Sequence, residues 1–270
     1  MTRPFARMLA TAALTLCLAP AAFAQDDDDS VLKPAEPDFT LASLPTNLRL
    51  PQFKSEFRVT HRFQGPLDEN GIGDLWGIDA GAQIGLEYRF GVIKNGQIGF
   101  YRTSDKTIDL FAQYGVLRQG QSASRPIDFS VAFSIEGTNN FQDSYSPSIG
   151  LLVSRRLGEY AALYFEPYWV NNSNPEPTEL VDHNDTFMIG IGGRFRVRPT
   201  VYVVAEVTPR VSGFTPNTNQ ATFGIEKRAG GHMFQLNVSN GFATMPASIA
   251  RGALSNDHWY LGFNITRKFY

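Results

Sequence analysis

The sequence predicts an all-β fold: a closed antiparallel transmembrane β-barrel of about 12 strands, preceded by a cleaved signal peptide. Three observations predict it: apolar–polar alternation that recurs along the chain, connections that alternate short and long, and an aromatic closing strand.

At the start, Arg3 and Arg7 form a charged region and Met8 to Leu18 an apolar stretch. Ala22-Phe23-Ala24 then supplies a small-x-small cleavage pattern, so residues 1–24 read as a secretory signal. A spanning helix needs roughly 20 apolar residues, and this stretch is shorter. Removal of the signal takes Cys17, the one cysteine, and with it disulfides, thiolate catalysis and cysteine metal sites. Lys+Arg number 24 against Asp+Glu 26; without Arg3 and Arg7 the count is 22 against 26, a net charge of about −4. That balance carries no nucleic-acid footprint.

Residues 25–52 are expected to be a disordered periplasmic leader. Asp26 to Asp29 is an acidic run, and Pro34, Pro37, Pro45 and Pro51 keep the segment out of strands and helices. The barrel domain is expected over 53–270. There Phe53, Phe57, Val59 and Phe63 share a face, with Ser55 and His61 as polar exceptions, against Lys54, Glu56, Arg58, Thr60 and Arg62. Ile127, Phe129, Val131, Phe133 and Ile135 likewise oppose Asp128, Ser130, Ser134 and Glu136. Most such runs have the 8–11 residues of a tilted membrane strand, longer than the usual five or six of a soluble one.

Short connections fall at Lys94-Asn95-Gly96, Leu157-Gly158-Glu159, Arg198-Pro199-Thr200 and Ala229-Gly230-Gly231. Longer ones cover 64–82, 137–147, 170–185, 209–220 and 240–258. Outer-membrane barrels pair short periplasmic turns with longer external loops, and with both ends periplasmic the strand count is even. Ser104-Asp105-Lys106 is too short for this scheme and 118–126 too long. In the last strand Trp259, Leu261, Phe263, Ile265 and Phe269 share a face, interrupted by Arg267. The terminal pair Phe269-Tyr270 resembles the signal read by the barrel-insertion machinery. A soluble β-sandwich would need neither even strand number nor alternating connections. It also has no use for 21 Phe and 10 Tyr placed largely near strand ends, which suit interfacial girdles facing outer-membrane lipid.

If apolar faces meet lipid, the lumen carries Lys54, Arg58, Arg62, Arg89, Arg194, Arg196, Arg228 and Lys268, with Glu56, Glu87, Asp109, Asp128, Glu136, Glu166, Glu206 and Glu226. Balanced signs favour a narrow or filled lumen over an open selective pore. In the loop 240–258, Pro246 to Leu254 reads as two helical turns, with Pro246 at the first position and Thr244 as N-cap. Folded inward it is a plug or gate, folded outward a surface contact; the commoner outcome is a cap at the mouth.

No catalytic residue, metal site or cofactor is read from the chain. His61 and His258 lie near the same rim on neighbouring strands, but without HxH or HExxH spacing. Asp68 to Asp74 with Asp79 imitates a calcium loop, yet Ile72 stands at a ligand position. Ser55 and His61 lie six residues apart, roughly 20 Å along a strand, too far for a hydrolase pair. Gly190-Ile191-Gly192-Gly193 lies inside a strand, so it is no phosphate loop.

Several strings resemble a bacterial outer-membrane β-barrel family known only as a domain of unknown function. They are Phe57 to Phe63, Gly81 to Glu87, Arg102 to Thr107 with Phe111 to Gly115, Phe223 to Arg228 with Gly230 to His232, and Trp259 to Asn264. The resemblance implies an outer-membrane barrel and brings no functional residue. The expected role is a non-enzymatic barrel, either a narrow channel for small hydrophilic solutes or a structural barrel. A barrel that binds partners through its external loops is the alternative, and a membrane-embedded hydrolase is a weaker one.

Overall fold

The structure is a computed structural model and describes residues 34–69, 71–122, 124–174 and 183–270. The expected signal peptide and the acidic run lie outside the described residues.

Period-two alternation becomes a single closed antiparallel sheet. Its strands are β1 (Ser55–Pro66), β2 (Ala82–Ile93), β3 (Gly96–Thr103), β4 (Ile108–Leu117), β5 (Asp128–Thr138), β6 (Asp143–Leu157) and β7 (Ala161–Asn171). They continue as β8 (Asp185–Arg198), β9 (Val201–Thr208), β10 (Arg210–Gly213), β11 (Gln220–Ala229), β12 (His232–Ser239) and β13 (Tyr260–Phe269). Each strand pairs with its sequence neighbours, and β1 pairs with β13 to close the ring. β9 and β10 are one wall strand interrupted at Pro209, which has no N–H to give the ladder. Its carbonyl still accepts from the Ile189 N–H at 2.9 Å, and β10 resumes pairing with β8 after a register shift. The described residues therefore form twelve wall strands.

Register sets the faces. Pairing Glu56 with Lys268, Thr60 with Asn264 and Arg58 with Glu87 turns the even residues of β1 inward. Phe57, Ile84, Leu86, Phe133, Leu163 and Phe234 stay exposed on the outside, where a bilayer would cover them. Two expected loops shrink because their flanking strands run further. β6 starts at Asp143, leaving only residues 139–142 of the expected 137–147, and β10 consumes much of 209–220.

The larger correction concerns the leader. Residues 34–51 are not a disordered tail beside the barrel: they enter the lumen, turn near residues 41–44 and return to the short-turn end. The prolines do keep them irregular, with no ladder beyond isolated bridges such as Thr40–Pro45. Order comes from burial instead. Phe39, Leu41, Leu44, Leu48 and Leu50 are almost completely covered, at about 1.5–3 kcal/mol for a fully buried side chain of this size.

Candidate functional site

The lumen is built by inward side chains and closed by two inserts. The first is the hairpin of residues 34–51. Lacking a ladder of its own, its backbone must find partners on the wall. The N–H groups of Ala42, Ser43 and Leu44 all donate to Glu206 Oε2, at 3.1, 3.1 and 3.2 Å, a small anion-binding nest closed on a wall carboxylate. The Thr40 carbonyl accepts from Arg194 at 2.6 Å and the Ala42 carbonyl from Asn264 at 3.0 Å. On the return leg the Thr46 carbonyl accepts from Gln113 at 2.8 Å, Asn47 donates to Ser154 at 2.9 Å, and the Leu50 N–H donates to Gln97 at 3.0 Å.

Gly190 and Gly192 on β8 make the hairpin's approach possible. A Cβ at Gly190 would stand 2.8 Å from Leu44, and one at Gly192 2.5 Å from Leu41. These glycines clear space for the two leucines at the turn.

The second insert is the β12–β13 connection. It folds inward and carries α1 (Pro246–Ala250). Pro246 does open the helix, but Met245 rather than Thr244 is its N-cap, without a side-chain cap bond. The Thr244 hydroxyl is engaged elsewhere, donating to the Tyr101 hydroxyl at 2.7 Å. Ala247, Ile249 and Ala250 pack on Leu152, Tyr168, Val170 and Met188 of the wall. Just past the helix Arg251 pairs with Glu136 on β5 and donates to Ser146 at 2.9 Å. Ser248 donates to Glu136 at 2.6 Å. The inserts meet, because Ser43 Oγ donates to the Ala243 carbonyl at 3.2 Å.

Between them remains a cavity of about 60 Å³, lined by Thr40, Ser43, Arg58, Tyr101, Thr244 and Met245 among others, room for a few waters. Above α1 lies a vestibule of about 580 Å³ with Thr103, Thr107, Asn172 and Arg251 on its walls. Below the hairpin a second space of about 480 Å³ is bordered by Arg49, Lys94, Arg118 and Arg156.

Of the sixteen expected lumen residues, thirteen are buried inside: Glu56, Arg58, Arg62, Glu87, Arg89, Asp109, Asp128, Glu136, Glu166, Arg194, Glu206, Glu226 and Lys268. Lys54, Arg196 and Arg228 are half-buried near the short-turn end. The structure brings together Arg58 and Arg89 on Glu87, both at 2.7 Å, and Arg194 on Glu226 at 2.7 Å. Other members find partners that sequence reasoning missed because the inserts supply them. Lys268 pairs with Asp38 at 2.8 Å, and Arg156 bridges Glu36 at 3.4 Å and Asp128 at 2.5 Å. The carboxylate oxygens of Glu56 and Glu166 have no hydrogen-bond partner among the described residues. Gln97, Gln113, Gln235 and Asn264 also bond to the hairpin, each from an inward parity that the alternation marks.

The terminal pair divides. Phe269 is exposed on the outer face, with Arg267 over its ring at 5.8 Å, whereas Tyr270 packs on the hairpin's Phe39, Leu48 and Leu50. The long 118–127 connection has a use at this end: Gln119 bonds to Asp128 and Arg156, and Arg156 in turn pairs with Glu36.

The histidines of the rim go separate ways. His61 stacks outward on Phe263 at 4.7 Å between centroids, and His258 bonds to Asp68 at 3.2 Å. Asp74 accepts from the Gly77 N–H at 3.0 Å. The bond to Asp68 favours the imidazolium and raises the His258 pKa above 6.5. A raised value means that this link between the β1–β2 and β12–β13 loops is fully present below the unfolded value and weakens as pH rises through the folded one. An NMR titration of His258 is expected to show the raised midpoint, and Asp68→Asn to bring it back toward 6.5.

Comparisons place this geometry. Residues 39–269 match the family described as "Membrane bound beta barrel domain (DUF5777)", so the match includes the turn and return leg of the hairpin. No curated relative matches in sequence. Among solved structures, the chain is similar to a KdgM porin in complex with disordered oligogalacturonate, at 8% identity and TM-score 0.52, over 80% of this chain and 99% of that one. It is similar to the NanC porin at 6% identity and TM-score 0.51, over 80% and 99%. A COG4313 outer membrane channel from Pseudomonas putida F1 aligns at 10% identity and TM-score 0.50, over 82% and 97%. At these identities the likeness is one of fold, that of outer-membrane channel barrels.

Proposed function

We propose that this chain, which belongs to the membrane-bound β-barrel domain family, is an outer-membrane channel for small hydrophilic solutes, held here in a closed state by its two inserts. One observation carries the reading. The inner wall is largely polar and charged, with apolar patches under α1 and the hairpin turn, yet what fills it is two segments held by hydrogen bonds and ion pairs as well as by packing. A purely structural barrel can fill its interior with wall side chains, as small barrels do. A twelve-stranded lumen leaves more room, and here that room is occupied by removable chain. The similarity to the KdgM and NanC porins and to an outer membrane channel supports the same reading.

The contact to test is Arg251 with Glu136, which ties α1 to the wall. In planar bilayers the refolded wild type is expected to show a low, mostly closed conductance. Arg251→Ala is expected to raise the open fraction at least several-fold without changing the heat-modifiable gel mobility of the folded barrel. A variant as silent as the wild type removes α1 from the gating reading. Absence of current from both this variant and one lacking the hairpin would end the channel reading altogether.

A further inference from the structure

The hairpin's grip differs from ordinary packing in one respect: on one side it is held by cations. Arg58 donates to the Thr40 hydroxyl at 2.8 Å and to the Ala42 carbonyl at 3.5 Å. Arg62 reaches the same carbonyl at 3.5 Å. Arg194 donates to the carbonyls of Thr40 at 2.6 Å and Asp38 at 3.5 Å, and Lys268 pairs with the Asp38 carboxylate at 2.8 Å. They come from β1, β8 and β13, and all four side chains are almost fully buried. The hairpin thus presents them with a carboxylate, a hydroxyl and three carbonyls, that of Thr40 the closest, the oxygen set of a hydroxylated organic acid.

The wall does not satisfy this group by itself. Arg194 has Glu226 and Arg58 has Glu87. Among the described residues Arg62 bonds to neutral oxygens alone, those of His61, Phe263, Asn264 and Ala42. The carboxylate that pairs with Lys268 belongs to the hairpin, and the carboxylate of Glu56, its register partner on β1, has no hydrogen-bond partner among the described residues. A buried cation whose partner leaves must find another anion or be rehydrated, and charge-assisted bonds to carboxylate or phosphate are the strong alternatives.

We propose that Arg58, Arg62, Arg194 and Lys268 form a binding site for an oxyanion-bearing solute, carboxylate or phosphate, and that the hairpin is its built-in competitor. The proposal rests on the channel reading and gives it a substrate class. An arriving oxyanion takes the place of Asp38 and the Thr40 and Ala42 carbonyls, and the hairpin retreats toward the short-turn end. Glu206 loses its three backbone donors in the same step and faces the vacated space from β9, one level beyond Arg194. The anion is therefore held mainly on the β1 and β13 side, with Arg194 reaching it from β8.

The chain from Gln25 onward has no cysteine, so a single one placed at the hairpin turn reports on retreat. Ser43 is 6% exposed and contacts both Glu206 and Ala243. Ser43→Cys is refolded in detergent, checked by gel mobility and treated with a small membrane-impermeant maleimide. Inorganic phosphate is expected to raise the labelling rate several-fold over chloride at equal ionic strength, and sucrose to leave it unchanged. Adding Asp38→Asn removes the competing carboxylate but leaves the four cations, and is expected to lower the half-maximal phosphate concentration about tenfold. Adding Arg62→Gln and Lys268→Gln is expected to give rapid labelling that phosphate no longer alters. Equal rates in phosphate and chloride, in both the Ser43→Cys chain and its Asp38→Asn form, overturn the proposal. The readout needs no current, so a barrel that never conducts but shows the phosphate effect loses the channel reading and keeps the site.

Discussion

Deleting residues 34–51 is expected to turn a barrel of low conductance into one that conducts steadily, with a rise of at least an order of magnitude. The wall does not depend on the hairpin for closure. β1 with β13, and β8 with β9, are joined by backbone ladders in which the hairpin takes no part. What the deletion removes is Phe39, Leu41, Leu44, Leu48 and Leu50 from the middle of the lumen, together with a backbone threaded between opposite walls. Water replaces the hairpin as partner of Glu206, Gln97 and Gln113, all of which are hydrophilic. Single-channel recording after refolding measures the effect. A deletion that folds, shown by gel mobility, but conducts no better than the wild type would assign closure to α1 alone. Placing leucine at both Gly190 and Gly192 is a gentler route to the same end, because the new side chains fill the space of Leu41 and Leu44.

The second large effect is on stability. Arg194 and Glu226 are fully buried and joined by two bonds, at 2.7 and 2.9 Å. Removing one member of such a pair strands a charge in a poorly hydrated place, at about 3–5 kcal/mol. Arg194→Met is expected to fall in that range, since among the described residues it leaves Glu226 with Gln235 alone as side-chain donor and also frees the Thr40 carbonyl. Glu226→Leu alone is expected to destabilise similarly. Together the two changes are expected to recover much of the loss, because a matched apolar pair buries no charge. Guanidinium unfolding of the four proteins gives the coupling. A double variant as unstable as the sum of the singles would show that the hairpin contact of Arg194, not the ion pair, holds the energy.

How far the sequence discloses these features follows from the range of the forces involved. Strand existence and facing are legible in the sequence because lipid on one side and polar lumen on the other impose a two-residue period on every strand. Glu56, Arg58 and Arg62 can be placed inside from that period alone. Closure with β13 is legible in the aromatic row from Trp259 to Phe269. The hairpin carries no period. Its order is imposed by residues far along the chain, such as Glu206, which is 164 positions from Ala42. Its composition held a signal all the same: five bulky apolar side chains from Phe39 to Leu50 are out of place in a disordered tail. Gly190 and Gly192, readable only as not a phosphate loop, acquire meaning once Leu41 and Leu44 are seen against them. Pro246 announces α1, but the N-cap falls at Met245 and not at Thr244, whose hydroxyl serves Tyr101 on another strand.

The seam between β1 and β13 also has a consequence for how the molecule is made. The hairpin lies immediately before β1, while the last strand ends on Tyr270, which packs against the hairpin's base. Joining the first and last strands brings together segments about two hundred residues apart, the pairing with the greatest loop-closure penalty in the wall. Once that seam is zipped the interior is encircled. A hairpin loaded before the ring closes would be spared passage through a finished wall.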